Sequence, residues 1–361
     1  MTGKYWIAFS SIEQIDSLFT LKLFEYFKNI EKAFNASSSD LKNIDGLSVK
    51  KAENFLKARD RINPDKVLSD VTNRGIKYLT FEDDRYPVML KNIDNPPSVL
   101  YYKGDLDLVN FERTLAVVGS RKTSRYAKDA VNLIISQLAN TDICIVSGLA
   151  SGIDTAAHTA ALDNGLKTIG VIASGFDFVY PSANAELYRK IENGNGIIFT
   201  EYFPTFEPLK FRFPQRNRIV SGLSYGTVVA EASLKSGALI TANLTLEQGR
   251  ELMCIPGLIT NPNTEGIYKL LKNGATLVTS ADDILEALNW EVKPAEQLKI
   301  NLTNLDETEA KIMDVIEIED KGVDEIMTAT GLDLDTLLIN LTTMELKGII
   351  EQVNGDRYKR V

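Results

Sequence analysis

The sequence predicts an α/β protein: a mostly parallel sheet covered by helices on both faces, set between a helical module and a C-terminal segment of three helices. Three observations lead there. From about residue 111, short β-branched runs alternate with stretches of helical periodicity. The runs are apolar along their length, as strands covered on both faces are. Residues 1–64 instead carry apolar residues at helical spacing, and residues 305–361 give three helical stretches before a two-strand ending.

Composition bounds what such a chain can be. At 361 residues it is longer than a typical domain of ~100–200 residues, so more than one domain is expected. Hydrophobic residues at 44% and charged residues at 25% suit a packed core and exclude a disordered or collagen-like chain. Cys144 and Cys254 each sit in an apolar run, which predicts buried strand thiols in a reducing compartment. No run approaches ~18 uninterrupted apolar residues, and the start, MTGKYWIAFSSIEQ, does not pattern as a secretory signal. A cytoplasmic protein with no membrane span is expected. A single histidine, His158, excludes a multi-histidine metal site, and Cys144 and Cys254 so placed argue against zinc, so neither metal nor cofactor is expected.

The net charge of −9 is unevenly spread: 0 over residues 1–110, −1 over 111–300 and −8 over 301–361. The first 300 residues are therefore close to neutral, and a local basic surface fits within them.

In chain order, IEQIDSLFTLKLFEYFKNIEKAF reads as short helices, and Pro64 closes a helical module over residues 1–64. Within it, Leu41, Ile44, Gly46, Leu47, Ala52 and Phe55 suit a helix, a tight glycine turn and a second helix, with Ser48 where a helix-hairpin-helix would carry its second glycine. Packing is favoured over DNA contact there. Residues 65–290 form the sheet domain. Its strand runs are TLAVVGS, ICIVSG, KTIGVIAS, GIIFTE, YGTVVAEA, RELMCIPG and ATLVTS. Residues 291–304 read as a linker. Residues 305–361 then have the layout of a winged helix, with a hairpin turn at Asn354-Gly355. Its third helix carries Asp333, Asp335 and Glu345 against Lys347, which opposes phosphate binding and favours protein contact or packing.

Three glycine turns follow strands: Gly119-Ser120-Arg121, Ser147-Gly148 with the following Ser151-Gly152, and Ser236-Gly237. Glycine lets backbone approach a ligand, and a helix N-terminus offers unpaired N–H groups, so together they predict a phosphate-binding edge. Neither GxGxxG nor a P-loop is present, which argues against a nicotinamide dehydrogenase and a P-loop ATPase. The stretch PLKFRFPQRNRIVSGLS has no acid from Pro208 to Ala230. Lys210, Arg212, Arg216 and Arg218 alternate there with Phe211 and Phe213, a pattern that suits phosphates and stacked bases of a single strand. His158 lies in a helix-like run with no assignable nucleophile, and Asp177 and Glu201 fall near strand ends.

These residues, in this order, resemble the DNA-processing protein A family (DprA, or Smf). The likeness runs from YPVMLKNIDNPPSVLYYKGD through AVVGSR, SGLASGID, GFDFVYPSAN, FRFPQRNRIVSGLS and VVAEASLKSGALITA to CIPG and LLKNGATLV. It implies an extended Rossmann-like fold that binds single-stranded DNA without hydrolysing it. It also implies a homodimer that helps load RecA recombinase during natural transformation or recombination. By the same resemblance Arg121 contacts phosphate beside the amides of Gly119 and Ser120, and Ser147 and Gly148 line the same pocket. Lys210 neutralises phosphate, Phe213 stacks on a base, and Arg216 and Arg218 hold the strand or the loop. Two positions depart from the family pattern: Ala173-Ser174-Gly175 replaces a glycine-richer turn, and Ser182 stands where a lysine is common. The alternative is a nucleotide-processing enzyme resembling the lysine-decarboxylase-like phosphoribohydrolases, whose signature SYGTVVAE partly echoes, with Glu231 in the acid position.

Overall fold

The structure is a computed structural model that describes residues 2–291, 306–316, 320–346, 349–353 and 357–360. The chain divides into two compact units, Met1–Glu291 and Val292–Val361.

The first unit opens with helices α1 (Gly3–Ser10), α2 (Ser17–Phe27), α3 (Ile30–Phe34), α4 (Ser38–Lys42), α5 (Val49–Arg59) and α6 (Pro64–Asn73). Pro64, read from sequence as a stop, instead opens α6, where its missing N–H costs nothing because first-turn amides have no helical partner. The helix–turn–helix over α4 and α5 forms as expected, with Gly46 at φ +63° in the turn. Ser48 caps α5 by accepting the Lys51 N–H at 3.4 Å. Phe55, fully buried, stacks on Phe9 with centroids 4.9 Å apart and rings 10° from parallel. The helices bury this aromatic core on Val99 and Tyr101 at one edge of the sheet. Packing accounts for the apolar residues of this motif.

Among the described residues of this unit, nine strands form one sheet: β1 (Lys77–Thr80), β2 (Val99–Gly104), β3 (Thr114–Val118), β4 (Cys144–Ser147), β5 (Thr168–Val171), β6 (Gly196–Thr200), β7 (Gly226–Val229), β8 (Glu251–Cys254) and β9 (Thr276–Leu277), in the order β1-β2-β6-β5-β4-β3-β7-β8-β9. All seven strand runs expected from sequence are there and pair in parallel, as in Leu115 beside Gly226 and Val228 beside Met253. β1 and β2 add an antiparallel edge through β6 that the apolar-run pattern did not indicate.

The remaining helices of the unit are α7 (Val88–Lys91), α8 (Arg125–Gln137), α9 (Ile153–Asp163), α10 (Ala185–Lys190), α11 (Arg212–Gly222), α12 (Ala238–Glu247), α13 (Glu265–Lys272) and α14 (Ala281–Ala287). They cover both faces. In β3, Ala116 and Val118 point into one apolar cluster with α11 and α12, whereas Leu115 and Val117 point into the other with α8 and α9. That two-sided burial is why the strands are apolar at every position. Cys144 and Cys254 are buried free thiols, and burial pushes Cys254 up to about 12. The order of β3, β4 and β7 creates a switch point: the chain leaves β3 toward β4 and later returns to β3's other side as β7. Ligand sites of open α/β sheets lie beyond the strand ends at such a point.

The second unit contains α15 (Glu307–Ile316), β10 (Lys321–Gly322), α16 (Val323–Thr330), α17 (Leu334–Leu346), β11 (Ile350–Val353) and β12 (Arg357–Arg360). Ile312, Ile316, Ile326, Leu337, Leu341, Met344 and Ile350 form its core. A short third strand, β10, joins the expected hairpin in the order β10-β12-β11. The Asn354-Gly355 turn, Lys347 and most of the expected linker lie outside the described residues. In the basic ending, Arg357 pairs with Asp320 at 2.8 Å and Glu325 at 3.2 Å, and Lys359 pairs with Glu351 at 2.7 Å.

Candidate nucleic-acid interface

All three glycine turns open on one cavity of about 800 Å³ at the switch point. The end of β3 contributes Gly119, Ser120, Arg121 and Lys122, the loop after β4 contributes Gly148 and Ala150, and the start of α12 contributes Ser236 and Gly237. Lys210, Phe213 and Arg216 enter from the acid-free run around α11.

Close backbone packing holds the turns in place. Gly152 has φ +87°, and a Cβ there would lie 2.2 Å from the Ser120 carbonyl, so only glycine permits the second turn to lie against the first. The Ser120 N–H donates to the Glu231 carbonyl at 2.7 Å, which ties the first turn to the end of β7. The N–H groups of Arg121, Lys122 and Thr123 make no hydrogen bond among the described residues. Those of Arg121 and Lys122, which line the cavity, are donors available to an anion.

The cations of the cavity fall into two sets. Arg121, Lys122 and Lys210 are exposed and have no ion-pair partner among the described residues. The Arg121 guanidinium lies over the Phe213 ring at 4.9 Å, and Phe213 is half-buried with Tyr180 against it at 5.4 Å. Phe213 is therefore neither a core residue nor a bare platform. Arg216, by contrast, is 3% exposed, and its Nη1 donates to the carbonyls of Gly148, at 2.5 Å, and Val171. Asp154 is buried nearby; burial pushes its carboxyl up, against the pull of Arg216. A Cβ on Gly148 would lie 2.5 Å from Arg216 Nη2 and 2.6 Å from Asp154 Oδ2, so glycine is what admits both groups. Arg216 thus holds the ends of β4 and β5 together at the cavity floor.

Two predicted residues do not reach the cavity. Ser147 is fully buried, and its hydroxyl donates to the Val117 carbonyl at 2.6 Å, cross-linking β4 to β3. Arg218 points away and forms a paired ion bridge with Glu201, Nη1 and Nη2 each donating at 2.6 Å, while its Nε donates to the Asn95 carbonyl at 2.8 Å. Helical periodicity explains the split: on α11, residues 216 and 218 lie ~200° apart and face different neighbours. Arg212 is also buried and binds Glu13 at 2.5 Å, joining the helical module to the sheet.

The other polar candidates are occupied. Asp177 pairs with Arg74, and Glu201 with Arg218, so the two carboxylates do not converge. His158 is fully buried, with Nδ1 2.7 Å from Thr168 Oγ1, and burial holds it down to about 3, with the charge of Arg216 adding to the effect. Glu231 is 1% exposed, and its carboxylate accepts from the Ser124 N–H and from Asn261, each at 3.0 Å. It fastens the start of α8 to the loop after β8 and does not line the cavity, which removes the residue on which the phosphoribohydrolase echo depended.

Sequence reading missed Lys122, Tyr180, Ile240 and Asn263 as cavity residues. Lys122 was within reach as the neighbour of Arg121. The others come from separate loops and helices, and nothing in the linear pattern joins them.

The family model described as DNA recombination-mediator protein A matches residues 77–289, and that of the DprA winged helix domain matches residues 293–356. Among curated proteins, the DNA processing protein DprA of Streptococcus pneumoniae is 49% identical over 203 residues, 56% of this chain and 71% of that protein. Protein Smf of Synechocystis is 30% identical over 391 aligned residues, 99% of this chain and 98% of that protein. The X-ray structure of the S. pneumoniae DprA superposes with a TM-score of 0.69 at 38% identity, covering 78% of this chain and 95% of that one. A DNA processing protein A from Helicobacter pylori, whose structure is described in terms of its single-stranded DNA binding mode, superposes with a TM-score of 0.53 at 31% identity, over 59% of this chain and 96% of that one. No helix among the described residues is long and apolar enough to cross a membrane. A family model that spans more than half of the sequence, and a relative aligned almost end to end, make this chain a member of the DNA recombination-mediator protein A (DprA/Smf) family.

Proposed function

We propose that this protein binds single-stranded DNA in the cavity at the switch point and does no chemistry on it. The observation that carries the reading is the convergence of three cations without an ion-pair partner among the described residues, Arg121, Lys122 and Lys210, with the free amides of Arg121 and Lys122 on one cavity. Phosphates take the cations and amides; bases take the aromatic wall of Phe213 and Tyr180. Arg216 supports the floor of the site, and Arg218 and Ser147 support it from behind. The H. pylori relative described by its single-stranded DNA binding mode favours the same substrate class. The family resemblance extends the reading to a cytoplasmic homodimer that helps load RecA recombinase on incoming strands in transformation and recombination.

A titration of the full chain with fluorescent oligo-dT and with a matched duplex, over a salt series, tests the substrate class. Tighter binding of oligo-dT, with log affinity falling linearly in log salt, is expected. Equal affinity for both, or binding indifferent to salt, would count against it.

A further inference from the structure

The proposed site has one aromatic ring whose freedom differs from the others. Phe213, the ring that the sequence singles out, is half-buried and carries the Arg121 guanidinium over it at 4.9 Å. It cannot present that face to a base while Arg121 lies there. Tyr180 lines the same cavity, is 48% exposed, and its hydroxyl has no hydrogen bond among the described residues. Its backbone is nevertheless fixed: the buried Tyr188 hydroxyl donates to the Tyr180 carbonyl at 3.1 Å. An aromatic ring on an anchored backbone, open to solvent beside unpaired cations, has the properties of a stacking platform.

We infer that Tyr180 is the first base-stacking platform of the site and a determinant of its preference for single strands. The inference rests on the proposal that the cavity binds single-stranded DNA. Tyr180 and Phe213 stand 5.4 Å apart with their planes 63° from each other. Bases laid on the two rings are turned against one another by about the same angle. A flexible single strand accommodates that turn between neighbouring nucleotides; a duplex, whose bases are stacked in parallel, does not. Phe213 joins as the second platform when Arg121 swings from the ring to a phosphate, so the two contacts form together.

The test uses the full chain and two fluorescent probes of equal length: oligo-dT, and a strand of abasic sugar-phosphate units with the same charge. Tyr180→Ala is expected to weaken oligo-dT binding between about fivefold and about 150-fold, with the salt slope unchanged, because an aromatic ring releases no counterion. On the abasic strand the same variant should bind within about twofold of the wild type, a loss too small to be a ~1–3 kcal/mol stacking contact. Tyr180→Phe, which keeps the ring, should restore the binding lost in Tyr180→Ala. A change below twofold on oligo-dT, or an equal loss on both probes, overturns the inference. Tyr180→Leu, which keeps apolar bulk without a flat ring, stands in if Tyr180→Ala melts early, and the same outcomes decide. A wild-type chain that does not bind oligo-dT fails the proposed function itself, a result distinct from any of these.

Discussion

The acid-free run contains two regions that look alike in sequence and act differently in the fold. Its exposed part, Lys210 with Phe213 beside Arg121, faces the cavity, and its cations have no carboxylate partner among the described residues. Its buried part, Arg212, Arg216 and Arg218, is spent on Glu13, on the carbonyls of Gly148 and Val171, and on Glu201. A run of bases with no local acid therefore does not by itself measure a binding surface, because the acids that pair it can come from elsewhere in the chain. Glu13 lies 199 residues from Arg212.

The sharpest way to separate the two regions is stability. Arg218→Met strands the Glu201 carboxylate, whose side chain is only 11% exposed, and should cost about 3 kcal/mol of unfolding free energy, the lower end for a buried pair, read by denaturant melts. Adding Glu201→Gln should recover much of that loss. A melt unchanged by Arg218→Met would move Arg218 to the exposed set.

The interior around Arg216 also predicts a pH dependence. His158 titrates at about 3 in the folded chain rather than at its ordinary 6.5, mainly through burial. As pH falls the unfolded chain takes up this proton first. The neutral ring therefore contributes fully to stability above about pH 6.5, and the contribution is lost as pH falls toward 3, at up to about 1.4 kcal/mol per pH unit. His158→Gln should flatten the stability profile between pH 6.5 and 3 relative to the wild type. Parallel profiles for the two would contradict the assignment.

Much of this organisation was legible in the sequence. Two-sided burial leaves continuous apolar strands, so the parallel strands could be read off. Glycine turns after strands mark where a neighbour or a ligand can come close to the backbone, and Gly119, Gly148 and Gly237 led to the cavity. The antiparallel edge was not legible, since β1 and β2 carry no pattern distinct from a loop with two short apolar stretches. Nor were the separate fates of Arg216 and Arg218, because these depend on which side of α11 meets the sheet. Tyr180 was hidden for a related reason: a turn residue gains its role only from the helix opposite.

The winged helix exposes a different surface from the cavity of the first unit. The exposed face of α17 presents Asp335, Leu338, Ile339 and Glu345, and Arg357 and Lys359 of β12 are paired within their own unit. Removing residues 305–361 should thus change oligo-dT affinity by less than about threefold, or ~0.6 kcal/mol. A tenfold loss would restore a DNA-gripping winged helix.

The central claim is that the exposed cations of the cavity, and not the buried arginines, meet the phosphates. The salt dependence of oligo-dT binding by Arg121→Ala combined with Lys210→Ala tests it most directly. If each residue meets one phosphate, the slope of log affinity against log salt should fall in magnitude by ~1.4, since each lost contact on a single strand removes ~0.7, while the melting temperature holds. An unchanged slope and affinity in a folded double variant would place the nucleic acid somewhere else on the protein.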